Sequence, residues 1–315
     1  MRRTLPPSVR IWLALSIVGL VLAGCRSTRE PEPPPTSAER TPDSQPGASL
    51  PPSPTQEPAS GLVLAIDPVL EQVVRATLGE EIDHYGVVVK DLDRGTGIAI
   101  NPDHIFYAAS LLKLPVMYEA FRQRETGRLS FDRLLTVTAA DAAEDLGTLD
   151  LFEIAVGDRL PVGELLSLMI TASDNTASVM LRSMLGRQAI DQSVRDLGLR
   201  ATSVESANLP TTAADMTVLL EAMATGQAVS ETASEEMAQL LLGQRVRDRI
   251  PAGLPPDVPV GNKTGNWSSA THDVAIVYAP TGTYLLSVLS DLPDDGGMIA
   301  GVSRQVYAYY SGGPR

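Results

Sequence analysis

The chain has 315 residues, with 38 acidic and 25 basic side chains, three histidines and one cysteine. This length admits one large domain or two small ones, and a hydrophobic content of 43% is enough for a packed core. The net charge of −13 argues against nucleic acid as a partner, because binding a polyanion requires concentrated Lys and Arg. The single Cys excludes a disulfide framework and a thiolate zinc cluster, and the three His show no ligand spacing. We expect neither metal nor cofactor.

Residues 1–25 have the pattern of a secretory signal. Residues 1–10 include three Arg and no acid, and 11–23 are a continuous apolar run, shorter than the roughly 20 residues of a membrane-spanning helix. The run ends at Leu22-Ala23-Gly24-Cys25, which resembles the lipobox of bacterial lipoproteins. That resemblance implies that Cys25 is diacylated and becomes the mature N-terminus, which places the protein outside the cytoplasm, anchored by lipid to the bacterial cell membrane. The alternative is an ordinary signal peptide with an incidental Cys.

Residues 26–60 are rich in Pro, Ser, Thr and Glu. They hold ten of the 24 prolines and almost no large apolar residue, so they cannot bury enough surface to offset the chain entropy lost on folding. We predict a disordered, extended linker that spaces residues 61–315 from the membrane.

The first elements of the globular part are a helix and a hairpin. Asp67-Pro68 supplies an N-cap and a first-turn Pro, and apolar residues at helical spacing continue to about Leu78. Residues 85–92 are rich in β-branched side chains, 93–97 form a turn, and 98–100 resume the strand pattern.

The remaining pattern is helical in the middle and strand-like near the end. Six helices are predicted, at 111–123, 162–171, 176–185, 189–197, 213–224 and 231–242. Three strands follow, at 258–264, 273–278 and 283–290, and a last helix carries Ile299, Val302, Val306 and Tyr309. We expect an α+β fold in which both chain ends build one antiparallel sheet flanked by the terminal helices. The α/β lobe would comprise 61–106 and 248–315, with an inserted all-α lobe at 107–247.

Ser110-Leu111-Leu112-Lys113 begins a predicted helix. A separation of three residues puts the hydroxyl and the ammonium on one helical face, about one turn apart. A serine hydroxyl becomes a good nucleophile only when a base takes its proton, and a Lys in apolar surroundings can have a pKa low enough to be that base. Taken alone, a capping Ser followed by a surface Lys is the more common meaning of this spacing.

Two further motifs follow in the chain. Ser173-Asp174-Asn175 comes after an apolar run and by itself reads as a turn or a helix cap. Its hydroxyl could relay a proton, and its Asn amide could bond both the base and a substrate amide. Lys263-Thr264-Gly265 is predicted to end a strand, where the Gly allows a substrate backbone close and the Lys and Thr could hold a carboxylate.

The three motifs in this order resemble those of class A β-lactamases and penicillin-binding proteins. The resemblance covers roughly residues 62–310, and four surrounding segments also look like the family: 107–117, 168–177, 211–216 and 249–255. It implies the serine β-lactamase-like fold and a β-lactam or cell-wall peptide substrate, and we expect a monomer.

The resemblance also implies roles for individual residues. Ser110 would be the acylated nucleophile, with Lys113 as its proton acceptor or relay. Ser173 would pass a proton to the leaving nitrogen. Substrate would be held by Asn175, Lys263, Thr264 and Gly265, and the backbone N–H groups of Ser110 and Asn266 would form the oxyanion hole.

One stretch departs from the family pattern. The family's Ω-loop carries a Glu, with an Asn four positions later, that activates the deacylating water. Here residues 199–212 are short, and Glu205 and Asn208 are three positions apart. Glu205 is either the base on a rebuilt loop or a surface acid on a loop that has lost the function, which puts turnover in doubt but not acylation.

The sequence therefore predicts a membrane-tethered serine hydrolase of the class A β-lactamase type. Two alternatives stay open. One is a cell-wall D,D-peptidase or esterase that uses the same acylation chemistry, and the other is a lipoprotein that binds penicillin without turnover.

Overall fold

The computed structural model describes residues 61–312. The predicted signal, the lipobox at Cys25 and the whole linker at 26–60 therefore lie outside the described residues. Among those described, no helix is both long and apolar enough to cross a membrane.

A six-stranded sheet is the centre of the α/β part. Its strands are β1 (Ala65–Ile66), β2 (Tyr85–Asp91), β3 (Thr96–Ile100), β8 (Val260–Trp267), β9 (Ala270–Ala279) and β10 (Gly282–Ser290). They lie in the order β1-β3-β2-β10-β9-β8, so β2 from the start of the domain pairs with β10 from its end. Every pair is antiparallel except β1–β3, which is parallel. The sequence did not predict β1, because two residues are too few to show a strand period.

The sheet is buried on both faces. Along β2, Val87 and Val89 face a core shared with α1 (Pro68–Leu78) and α10 (Gly296–Tyr310), whereas Val88 faces the core of the helical part. This alternation is the two-residue period of a strand. Asp67 caps α1 by accepting from the backbone N–H groups of Val69 and Leu70, as the sequence predicted.

The middle of the chain is mainly helical. Its longer helices are α2 (Lys113–Glu125), α5 (Val162–Thr171), α6 (Asn175–Leu185), α7 (Arg187–Leu197), α8 (Ala213–Ala224) and α9 (Glu231–Leu242). Two four-residue helices, α3 (Ala139–Ala142) and α4 (Thr148–Leu151), lie between α2 and α5. The α+β architecture is confirmed by solved relatives described below.

Short strands also occur where the sequence predicted only helix. β5 (Leu134–Thr136) pairs with β6 (Arg159–Pro161), and β4 (Phe106–Tyr107) pairs with β7 (Pro210–Thr211). The β4–β7 pair has a functional consequence, because it holds the end of the 199–212 loop beside the turn that carries Ser110.

Candidate active site

Ser110 lies in a tight turn that precedes α2. The turn is a 3-10 helix over Ala109–Leu112, and the α-helix proper begins at Lys113. Ala109 has a φ of +46°, a left-handed conformation that a non-glycine residue rarely adopts. Strain of this kind persists only where the surroundings enforce it, and it often accompanies functional sites. The backbone N–H of Ala108, which donates to the carbonyl of Leu209 at 2.8 Å, is one such restraint.

Lys113 connects Ser110 to the second motif. Its Nζ lies 3.1 Å from Ser110 Oγ, 2.5 Å from the carbonyl oxygen of Ser173 and 2.7 Å from Asn175 Oδ1. The Ser173 carbonyl oxygen and Asn175 Oδ1 can only accept hydrogen bonds, so each takes one N–H of Lys113. A neutral Lys113 then has its lone pair left for a serine hydroxyl, which is the arrangement of a general base.

The environment of Lys113 favours that neutral form. Burial lowers its pKa to about 7, with the charge of Arg182 adding to the effect and that of Asp174 opposing it. A group with a pKa near 7 is divided between base and acid at neutral pH, which suits proton transfer in either direction.

Ser173 links the two motif lysines. Its Oγ lies 3.1 Å from Lys113 Nζ and 2.9 Å from Lys263 Nζ. Lys263 is fully buried, and burial together with the charge of Lys113 lowers its pKa well below the usual value. Because Ser173 Oγ contacts both amines, it can carry a proton between this pair and a substrate atom in the cleft.

The third motif lies within a strand and not at its end. β8 continues to Trp267, and its pairing with β9 passes through Gly265 opposite His272. A Cβ on Gly265 would lie 3.0 Å from the carbonyl oxygen of Ala108 and 3.2 Å from Leu111 Cγ. Glycine is therefore needed here because β8 packs directly against the nucleophile turn.

Arg249 and His272 hold this part of β8 and the nucleophile turn. The Arg249 guanidinium donates to the carbonyls of Gly265 and His272, each at 2.7 Å, and to Asn266 Oδ1 at 2.8 Å. His272 Nδ1 accepts from the backbone N–H of Ser290, so its Nε2–H donates to the Tyr107 carbonyl at 2.9 Å. Burial lowers the pKa of His272 to about 4, so it is neutral and structural.

These groups line a cleft of about 540 Å³. Six of the predicted site residues lie together in its wall: Ser110, Lys113, Ser173, Asn175, Thr264 and Asn266. Lys263 is buried behind them. The sequence assigned no role to Arg249, Arg182, Glu144, Leu209 or Trp267, which also line it. Helical spacing from Asn175 could have indicated Arg182; nothing local in the sequence indicated the others.

Glu205 is not brought into this cleft. Its side chain is exposed and is not part of the lining, whereas Leu209 from the same loop is. Two buried carboxylates hold the loop in this shape. Asp191 accepts from Val204 N at 2.7 Å, and Asp215 accepts from Thr202 N at 2.7 Å. The anchored Val204 is buried, and the next side chain, that of Glu205, is exposed to solvent.

Comparison with known proteins shows the family and the fold. The model of the β-lactamase enzyme family matches residues 69–310. β-Lactamase AST-1 of Nocardia asteroides and a β-lactamase of Streptomyces albus G are each 28% identical over 243 residues, covering 70% of this chain and 77% of theirs. The structure of PBP-A has a TM-score of 0.73 at 24% identity and covers 79% of this chain and 98% of its own. A mutant of PBP-A, solved as an acyl-enzyme complex with penicillin G, has a TM-score of 0.72.

Fold and site together define a hydrolase of the serine β-lactamase and penicillin-binding protein type. The chain belongs to the β-lactamase enzyme family, with the class A pattern of motifs. The resemblance inferred from the three motifs is thereby confirmed.

Proposed function

We propose that this protein opens β-lactams by forming an acyl-enzyme on Ser110. The observation that carries the proposal is the position of Lys113 Nζ, 3.1 Å from Ser110 Oγ, with its two N–H bonds directed to other oxygens. The names of the related β-lactamases support a β-lactam as the substrate.

In the proposed acylation, Lys113 takes the Ser110 proton while Oγ attacks the lactam carbonyl carbon. The charge on the carbonyl oxygen is stabilised by the backbone N–H groups of Ser110 and Asn266. As the C–N bond breaks, Ser173 gives its proton to the leaving nitrogen and is reprotonated from the amine pair at its Oγ. The substrate carboxylate binds at Lys263 and Thr264.

Deacylation is proposed to be slow. It requires a base that activates water against the ester, and the loop presents Leu209 to the cleft, whereas Glu205, the candidate base in the sequence, is exposed outside it. The expected behaviour is a burst of acylation followed by weak turnover. A D,D-peptidase or esterase, or a penicillin-binding lipoprotein without turnover, shares the same first step.

The proposed location is outside the cytoplasmic membrane, with the domain tethered through a lipid on Cys25. Support comes from the sequence alone, in the apolar run that ends at this residue and the Pro-rich stretch that follows it.

Purified protein and a chromogenic cephalosporin test the activity. Sustained hydrolysis indicates a β-lactamase, a stoichiometric burst indicates a penicillin-binding protein, and no reaction refutes the proposal. In parallel, fluorescent penicillin should label the parent but not Ser110→Ala, and mass spectrometry should place the adduct on Ser110. Labelling that persists in Ser110→Ala would reject the assignment of the nucleophile.

A further inference from the structure

Helix α6 presents one continuous face to the cleft. Four of its residues line the cavity, at positions 0, 3, 4 and 7 from the first: Asn175, Ser178, Val179 and Arg182. This is the spacing of neighbours on one helical face. At 1.5 Å of rise per residue, the Cα atoms of Asn175 and Arg182 are about 10 Å apart along the axis. A substrate bound by its amide at Asn175 therefore has a path along α6 that ends at Arg182.

Arg182 is a cation without a counter-ion in the part of the chain described. It forms no ion pair there, and its Nε is buried without a hydrogen-bond partner. Burial and the charge of Arg187 lower its pKa, whereas the charge of Glu144 raises it. Buried N–H groups without a partner are rare in folded proteins, so the guanidinium is not saturated by the protein itself. Arg182 lines the cleft, where a ligand can pair with the guanidinium.

One carboxylate faces Arg182 without pairing with it. Glu144 lines the same cleft, its charge acts on Arg182, and its own side chain is exposed to solvent. Arg187 and Lys113 are its other charged neighbours, since the charge of Arg187 lowers the pKa of Arg182 and the charge of Arg182 lowers that of Lys113. An incoming anion at Arg182 would thus displace solvent and not an established ion pair.

We propose that Arg182 is a second anion subsite, which binds a carboxylate at the far end of the substrate's acyl side chain. This subsite is separate from Lys263 and Thr264, which are proposed to bind the carboxylate on the β-lactam ring system. The guanidinium fork suits bidentate recognition of a carboxylate, which makes side-chain charge a determinant of substrate choice. The inference rests on the proposed acylation of Ser110.

A purely structural role is the competing explanation. Arg182 lies in the last turn of α6, where a cation interacts favourably with the helix dipole. That role would affect the melting temperature, but it would not distinguish between charged and neutral substrates.

The test uses two penicillins that differ only at the far end of the side chain. They are 6-adipylaminopenicillanic acid and its side-chain monomethyl ester. The second-order rate of Ser110 acylation is measured for each by intact-protein mass spectrometry. We expect the parent to favour the acid over the ester by about tenfold, as one charge-assisted hydrogen bond supplies. Arg182→Met should remove the preference and Arg182→Lys should restore part of it.

The ratio of the two rates is the decisive quantity. Removal of Arg182 also changes the charge beside Lys113, and this affects both probes alike, so the ratio isolates the side-chain contact. Glu144→Gln, at an exposed position, should raise the ratio by removing a competing carboxylate, and it gives a second reading if Arg182→Met does not fold. A ratio that neither variant moves would overturn the subsite. If neither probe acylates the parent, the proposed acyl-enzyme fails, and this inference fails with it.

Discussion

At the scale of single residues, the buried amine of Lys113 determines when the enzyme can react. The protein binds this side chain through two acceptors, the Ser173 carbonyl and Asn175 Oδ1, and no carboxylate of residues 61–312 forms an ion pair with it. A permanently charged ammonium would be poorly stabilised at such a site, which is why the pKa falls to about 7.

The acylation rate should therefore depend on pH through Lys113. Because only the neutral amine can accept the Ser110 proton, the second-order rate should rise with pH and level off above about 7. At pH 5 the neutral fraction, and with it the rate, should be about a hundredfold lower. Stopped-flow mixing with a chromogenic cephalosporin between pH 5 and 9 measures this. A rate independent of pH across that range would contradict the role of Lys113 as base.

Asp174→Asn gives a matched check, because Asp174 raises the pKa of Lys113 by charge attraction. An Asn keeps an oxygen that can accept from Ala177 N, so the cap of α6 is retained. The acidic limb should move to lower pH, by about one unit. Burial raises the pKa of Asp273 to about 6, so this carboxyl titrates in the same pH range. Asp174→Asn should move the acidic limb only if that limb reports the titration of Lys113.

At the scale of elements, the 199–212 loop and strand β8 enclose the nucleophile turn from two sides. The loop reaches Ala108 through the Leu209 carbonyl, and β8 reaches it through Gly265. Each element therefore packs against one side of the nucleophile turn. We expect changes in the loop to affect deacylation and changes in β8 to affect acylation.

The loop should control deacylation through residue 209 and not through Glu205. Glu205→Gln should leave the deacylation rate within about twofold of the parent, because the side chain points away from the cleft. Leu209→Glu places a carboxylate in the cleft wall and should accelerate deacylation, up to the 10²–10⁴-fold typical of a general base. Recovery of free enzyme after a penicillin pulse measures both. A tenfold slower recovery in Glu205→Gln would instead make Glu205 the base.

Gly265→Ala should separate β8 from the nucleophile turn. The new Cβ would press on backbone and on His272 at 3.0 Å, so we expect destabilisation by about 1–3 kcal/mol and slower acylation. Gly297→Ala is the control, because a Cβ there meets nothing within 4 Å and the position is inside α10. Urea denaturation and penicillin labelling give the two readouts. Equal stability of the two variants would show that the contact at Gly265 is not tight.

At the scale of the whole molecule, the active site is assembled from distant parts of the chain. The proposed nucleophile, relay serine and carboxylate-binding lysine lie at 110, 173 and 263, and they meet because β2 and β10 close one sheet across the helical insert. The terminal helices α1 and α10 cover the far side of that sheet, so the closure is maintained by a core separate from the cleft.

The proposed lipid tether belongs to the same scale, since it would decide where the catalytic domain acts. Cys25→Ser should abolish incorporation of radiolabelled palmitate and release the protein from membranes, because one residue carries the predicted lipid. Ser110→Ala serves as the control and should incorporate palmitate like the parent. Equal incorporation by Cys25→Ser and the parent would disprove the anchor.

The sequence by itself determined the class of protein, the main helices and strands, and the residues of the three motifs. Periodicity and caps are local signals, so α1, α5, α8 and α9 were predicted close to their observed bounds. The motifs are short and each requires its own chemistry, so Ser110, Lys113 and Ser173 could be named before any contact was known.

Only the tertiary structure decided the extent of β8, the exposure of Glu205 and the unpartnered Nε of Arg182 in the part of the chain described. β8 extends through Gly265 because pairing with β9 outweighs the poor strand propensity of glycine. Glu205 points outward because Asp191 and Asp215 hold the loop from separate helices. The Nε of Arg182 has no hydrogen-bond partner among residues 61–312, which depends on how the surrounding side chains pack. Each of these depends on contacts between residues far apart in the chain, which a local pattern does not encode.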